Sequence, residues 1–164
     1  MTKHLRKRKK SPALDCNYVL KVQPNSRVFE NERDILYKLN KIQPPLAPYL
    51  YDAWTCEGQG FLVMERMEGD IQKRKLTIKD VDKIEKLVAR LHSLKIAFTD
   101  LHEGNILTKD KDQFFLTDFG LAVDYEDVPE GYELFVYHAQ DKLNFTDAAA
   151  FDTRFVTTLK EHIL

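Results

Sequence analysis

The chain is poor in cysteine, with only Cys16 and Cys56 among its 164 residues. Two thiols make no disulfide framework, and neither sits in a pair spaced for metal binding, so a reducing compartment and no structural metal are expected. Long apolar runs are also missing. The longest stretches, such as GFLVM at 60–64, fall far short of the roughly 18 to 20 residues that cross a bilayer. The basic start has no apolar stretch behind it, as a secretory signal would. An intracellular protein, cytoplasmic or nuclear and without a transmembrane segment, is therefore expected. No internal repeat is present. His4, His138 and His162 are scattered and suggest no metal set, while His92, near the end of a predicted helix, is read as structural.

What is present suits one globular domain: 43% apolar and 31% charged residues in a chain of ordinary domain length. The formal charge of −1 conceals a segregation. Lys3, Arg6, Lys7, Arg8, Lys9 and Lys10 make six of the first ten residues basic, and none of the ten is acidic. From Ser11 onward 19 basic residues face 26 acidic ones, so the body carries −7 and should repel nucleic acid except through that tail. Residues 1–14 are read as a basic flexible tail, either merely solvated or addressed to nucleus, nucleic acid or acidic membrane. Residues 15–164 form the single domain.

CNYVLKVQ at 16–23 reads as a strand stopped by Pro24, with Asn25 and Ser26 offering helix caps. Val28, Phe29, Ile35, Leu36, Leu39 and Ile42 then mark an amphipathic helix over 27–42, ended by Gln43-Pro44-Pro45. Glu32 lies on its apolar stripe, three residues after Phe29 and four before Leu36, and a carboxylate facing inward needs a partner. Strands are expected at 49–55 and 60–67, paired antiparallel about Glu57-Gly58-Gln59-Gly60. Thr77 with Asp80 makes a capping box for a helix whose apolar face is Val81, Ile84, Leu87, Val88, Leu91 and Leu94. Beyond it come KIAF, TDLHEGN, ILT, a charged turn, FFLT and DFG, then the irregular DYEDVPEGYE and a final helix near 148–163.

Lys21, Asp100, Asn105 and Asp118 each abut a short apolar strand, where loop ends present side chains to a cleft. Oxygen donors so placed suit Mg²⁺, a hard cation held by one or two protein oxygens plus the phosphates of a nucleotide. From about Tyr18 to Val123 the sequence resembles the protein-kinase-like superfamily of ATP-dependent phosphotransferases. TDLHEGNIL looks like its catalytic loop, FLTDFGLA like its metal-binding segment, LVMERMEGDI like its adenine-holding strand and hinge, and YVLKV with Glu32 like its Lys and Glu pair.

The resemblance implies an α+β, two-lobed fold with a minimal N-lobe and hinge over 15–67 and a shortened, mainly helical C-lobe over 68–164. It implies ATP and Mg²⁺ as cofactors, with Asn105 and Asp118 on the metal and Lys21, steered by Glu32, on the α and β phosphates. Asp100 would orient the acceptor hydroxyl and take its proton. Backbone groups at Glu65 and Met67 would bind adenine, Asp70 would reach the ribose or merely cap a turn, and His102 would touch the γ-phosphate or make an orienting hydrogen bond. The acceptor would be a serine or threonine of a protein substrate, or a small hydroxylated substrate, since DLHEGN also looks like loops of small-molecule kinases.

The chain departs from this family in places. No glycine precedes Lys21, so the glycine-rich phosphate cover is missing. A partner protein completing the N-lobe would supply that wall. Thr99 stands where regulated protein kinases carry arginine, and no Ala-Pro-Glu ending follows, so control by activation-loop phosphorylation is not expected. FDTRFVTTL resembles the family's later buried helix, with Asp152 bracing the catalytic loop. A truncated kinase mimic that binds or inhibits a partner is the competing expectation.

Overall fold

A computed structural model describes residues 17–127 and 144–163. The basic tail, Cys16 and His138 lie outside the described residues. The architecture is mixed α and β, as an α+β class requires: eight short strands in three small sheets, with three α-helices, among the described residues.

The first sheet has the order β1-β3-β2, antiparallel throughout, built from β1 (Tyr18–Pro24), β2 (Leu50–Cys56) and β3 (Gln59–Glu65). Strand β1 runs through Pro24, which pairs with Gln59. The proline is tolerated because β1 is an edge strand, where one side of the backbone needs no ladder partner. Glu57 and Gly58 turn the β2–β3 hairpin with φ of 49° and 77°, the left-handed pair a tight two-residue turn demands.

Helix α1 (Arg27–Leu39) lies against this sheet, capped by Ser26, whose hydroxyl accepts the Phe29 N–H at 3.5 Å. Phe29 is fully buried and its ring lies over Gly60, where a Cβ would collide with it. Burying such a ring stabilises by roughly 1.5 to 3 kcal/mol. The helix stops at Leu39, three residues before Ile42, because the Asn40 side chain turns to β2. It donates to the Leu50 carbonyl at 2.8 Å and accepts the Leu50 N–H at 2.9 Å.

The rest is organised by α2 (Ile78–Ser93) and α3 (Phe145–Ile163), which pack together. The Thr77–Asp80 capping box is present with both of its hydrogen bonds, and Val81, Ile84, Leu87, Val88 and Leu91 are buried. Helix α3 begins three residues before the expected Ala148. A second sheet, β4-β6-β7, joins β4 (Gly69–Asp70), β6 (Ile106–Lys109) and β7 (Gln113–Leu116). A third pairs β5 (Ile96–Ala97) with β8 (Val123–Asp124). The Leu116 N–H donates to the Leu46 carbonyl at 2.8 Å, and Phe29, Leu36, Leu46, Leu50, Leu116 and Phe119 share one core, so both groups of elements close over the same apolar interior. No helix of the described residues is long and apolar enough to cross a membrane.

Candidate active site

Lys21 stands in β1 on the face that looks toward α1, and its Nζ lies 2.9 Å from both carboxylate oxygens of Glu32. Glu32 is 1% exposed, so the inward carboxylate seen in the helical stripe has its partner. The same Nζ donates to Asp118 Oδ1 at 3.2 Å, from a residue 97 positions along the chain. Burial alone would lower the Lys21 pKa, but Glu32 and then Asp118 outweigh it and hold the ammonium above the ordinary lysine value. Lys21 is therefore a fixed cation between two carboxylates.

Asp118 follows β7 by two residues and has φ of 68°, a left-handed conformation that short polar residues tolerate best. Half of its side chain is open to solvent. The segment after it is clamped from α1: Asn31 Nδ2 reaches the carbonyls of Phe119, Gly120 and Ala122 at 3.3, 3.0 and 2.7 Å. Gly120 permits the close approach, since a Cβ there would sit 2.6 Å from Val28 Cγ1. Lys38, two turns along α1, adds an ion pair to the buried Asp124 at 2.8 Å. Sequence reading passed over Asn31; the available signal was an asparagine inside a helix next to the inward glutamate, where its amide must bond to something.

The loop from Phe98 to Asn105 is held at both ends. Asp152 of α3 is fully buried and accepts the N–H groups of Phe98 and Thr99 at 2.8 and 2.9 Å, with His92 Nε2 at 2.8 Å. Thr99 adopts φ of 68° and its hydroxyl donates to the Leu121 carbonyl at 2.9 Å, tying this loop to the segment after Asp118. At the other end Asn105, 5% exposed, donates through Nδ2 to the Asp100 carbonyl at 3.1 Å. Its Oδ1 accepts no hydrogen bond among the described residues and remains open for a ligand. The Thr117 N–H donates to the Asn105 carbonyl at 3.0 Å, so the residues before Asp118 and the end of the loop share one hydrogen bond.

Burial raises the Asp100 carboxyl above the ordinary aspartate value; His102 opposes this, and the nearby Asp118 adds to it. His102 accepts the Gly104 N–H through Nδ1 at 3.1 Å, an orienting hydrogen bond that leaves Nε2 as the nitrogen facing outward. Asp70, which is exposed, accepts the Gln72 N–H at 3.0 Å and so closes a turn. At the end of β3, the Glu65 N–H donates to the Tyr49 carbonyl at 2.8 Å and its carboxylate pairs with Lys109. Met67 is two residues on, and its backbone makes no hydrogen bond among the described residues.

The structure thus brings Lys21, Glu32 and Asp118 into contact, sets Asp100 and Asn105 on one braced loop, and leaves Glu65 at the end of β3, Met67 in the connection that follows and Asp70 in β4. Among the described residues no group of three or more His, Cys, Asp and Glu side chains is arranged to hold a metal ion. The oxygen donors offered are the open Asn105 Oδ1 and the Asp118 carboxylate, a pair whose chemistry fits a hard divalent cation that keeps water or phosphate for its other positions.

Comparison with known proteins gives a consistent picture. A family model of the ABC1 atypical kinase-like domain matches residues 30–142. Ribosomal protein S6 kinase alpha-3 of Mus musculus, and likewise that of Homo sapiens, is 33% identical over 120 residues, a match covering 65% of this chain. The match spans 16% of the length of either relative.

Proposed function

Since this chain belongs to the ABC1 atypical kinase-like domain family, we propose that it is an ATP- and Mg²⁺-dependent phosphotransferase acting on a hydroxyl, with a serine or threonine of a protein as acceptor. In this reading residues 15–67 form a minimal N-lobe and hinge and residues 68–164 a shortened C-lobe of a two-lobed kinase-like domain. The observation that carries it is the Lys21 ammonium held between Glu32 and Asp118, three residues from three separate elements. An ammonium positioned in this way is a ready partner for the α and β phosphates of a nucleotide.

The remaining residues take roles that follow from their positions. Asn105 Oδ1 and the Asp118 carboxylate would hold the magnesium. Bound there, the ion would supply charge neutralisation for the phosphoryl group in transfer. Asp100 would orient the acceptor hydroxyl and take its proton, an effect worth about 10² to 10⁴ in rate. Its raised pKa brings it nearer to working pH, which favours that role. The unused backbone groups at Met67, with those of Glu65, would meet adenine, Asp70 the ribose, and the outward Nε2 of His102 the γ-phosphate.

A second reading rests on one observation. The outer edge of β1 pairs with no strand among the described residues, and Tyr18, Leu20 and Val22 are about half exposed there. Among the described residues no strand lies beyond that edge to cover phosphates at Lys21, which favours a kinase-like binding module or a partner that completes the N-lobe. Mg²⁺-ATP separates the readings: ligand at 100 times its dissociation constant should add about 2.7 kcal/mol to stability. Asp118→Ala should abolish this gain, whereas Asp100→Asn should retain it and lose phosphoryl transfer to a panel of proteins and small alcohols. No stabilisation of the parent chain by Mg²⁺-ATP rejects the enzymatic reading.

A further inference from the structure

The first sheet ends on two edges, and the chain treats them differently. On β2 the register shifts between Leu50 and Asp52, and side chains occupy backbone groups that a further strand would need. Asn40 takes both the N–H and the carbonyl of Leu50, and the Asp52 carboxylate accepts the Ala53 N–H at 2.8 Å. Strand β1 has no such protection. It pairs with β3 in unbroken register along its whole length. The Asn17 carbonyl accepts the Arg66 N–H and the Asn25 N–H donates to the Gly58 carbonyl, each at 2.9 Å, so the odd-numbered residues between them bond β3. The backbone groups of Tyr18, Leu20 and Val22 therefore point out of the edge, where no strand meets them among the described residues. Their side chains, about half exposed, share the outer face of the sheet, and the Tyr18 ring stands edge-on to that of Tyr51 at 4.9 Å.

We propose that β1 pairs antiparallel with β1 of a second copy of this chain, joining the two three-stranded sheets into one about a two-fold axis at Leu20. The edge is complementary to itself in that register. Tyr18 stands opposite Val22 of the partner subunit, and Leu20 opposite Leu20, so the outward N–H and carbonyl groups find partners and the apolar side chains meet along the outer face. On the inner face Lys21 comes opposite Val19 of the partner subunit, while its ammonium stays with Glu32 and Asp118. Moving the axis one residue, to Lys21, would set two lysines opposite each other with roughly 4.5 Å between Cα atoms. It would also bring Pro24, which has no N–H, opposite Tyr18. The preceding stretch at 3–12 suits the edge less well, since it holds four lysines and Pro12, residue types depleted in strands. A pair formed in this way uses the open edge of both copies and leaves only the blunted β2 edges outside, so assembly stops at the dimer. This names the partner that completes the N-lobe: Val19 of the partner subunit would lie beside Lys21, and only this consequence rests on the proposed nucleotide site.

The test uses the full chain without nucleotide, so that its outcome stands apart from the phosphotransferase reading. In sedimentation velocity from about 1 to 200 µM, dimer should increase with concentration. Amide exchange at Leu20 and Val22 should slow in step, while Val19 and Lys21, already bonded to β3, change little. Leu20→Lys sets like charges on the axis and should weaken the dimer about tenfold. Its urea midpoint at the lowest concentration should match the parent's, because Leu20 is half exposed in the single chain. In a chain with Cys16 and Cys56 replaced by serine, Leu20→Cys should give a disulfide-linked dimer on oxidation with diamide, since hydrogen-bonded partners sit roughly 5.5 Å apart at Cα. Val22→Cys should not, its two copies lying about 13 Å apart along the pair. A monomer at every concentration overturns the proposal, and one whose Leu20 amide is already protected assigns the edge to residues 1–14. A dimer untouched by Leu20→Lys, or linked as readily through Val22→Cys as through Leu20→Cys, places the interface elsewhere and overturns it as well.

Discussion

Asp152 on α3 accepts the Thr99 N–H at 2.9 Å, and thereby sets the main chain one residue ahead of Asp100 from a helix 53 residues away. Thr99 is β-branched and sits at φ of 68°, a conformation costing of order 1 to 3 kcal/mol unless its surroundings enforce it. The Phe98 and Thr99 N–H groups share the buried carboxylate with His92, so the brace is a small network, not a single bond.

Removing that brace should be costly. Asp152→Ala strips two backbone N–H groups of their acceptor, and buried unsatisfied donors cost about 1 to 3 kcal/mol each. A loss of about 3 kcal/mol in urea unfolding is expected, and in the proposed phosphotransferase reading transfer should fall further than stability alone accounts for. A loss under about 0.5 kcal/mol would show that the loop holds its conformation unaided.

Asn31 offers a subtler case. Its amide spans carbonyls just after Asp118, and two neutral hydrogen bonds are worth about 1 kcal/mol each. Asn31→Ala should therefore speed amide hydrogen exchange over 119–124 while leaving exchange in α2 unchanged. Uniform acceleration everywhere would point to a general loss of stability and against a local clamp.

In the proposed phosphotransferase reading, with Asp100 as the base, the pH dependence of transfer has a defined sign. Asp100 must be ionised to accept a proton, and burial with Asp118 keeps it protonated to a pH above the ordinary aspartate value. Activity should climb with pH through that raised value on the acid limb of kcat/KM. His102 pulls the Asp100 value down, so His102→Ala should move the limb to higher pH. A limb that stays put or moves lower contradicts the coupling.

Asp80 provides the opposite sign. Burial works against its charge, but the Thr77 N–H and hydroxyl at 2.9 Å, helped by Arg74, win and lower its pKa. A depressed folded pKa gives stability that is full above the unfolded value, about 3.9, and disappears as pH falls through the folded one. Asp80→Ala should cost about 1 kcal/mol near neutrality. The gap between parent and variant in urea unfolding should hold down to about pH 4 and close below it; a gap that widens on acidification would exclude the cap as its source.

Much of the local structure was legible because it is written in short-range chemistry. The Thr77–Asp80 box, the Glu57–Gly58 turn and the apolar stripe of α2 each need only neighbouring residues. Glu32 was legible as an inward carboxylate for the same reason: helical period alone puts it on the face of Phe29 and Leu36. The bounds were less so. Asn40 ends α1 early by bonding to Leu50, and Pro24 stays in β1 because that strand lies at an edge, both matters of what lies across space.

The sequence by itself determined the kinds of element, the capping and turn chemistry, and the order in which Lys21, Glu32, Asp100, Asn105 and Asp118 occur. Only the tertiary structure decided that Lys21 bridges Glu32 and Asp118, that Asn31 grips the segment beyond Asp118, and that Asn40 blunts the β2 edge of the first sheet. Helix and turn preferences act over a few residues. Ion pairs, buried carboxylates and sheet edges depend instead on which distant surfaces the common core draws together, and that choice belongs to the whole chain at once.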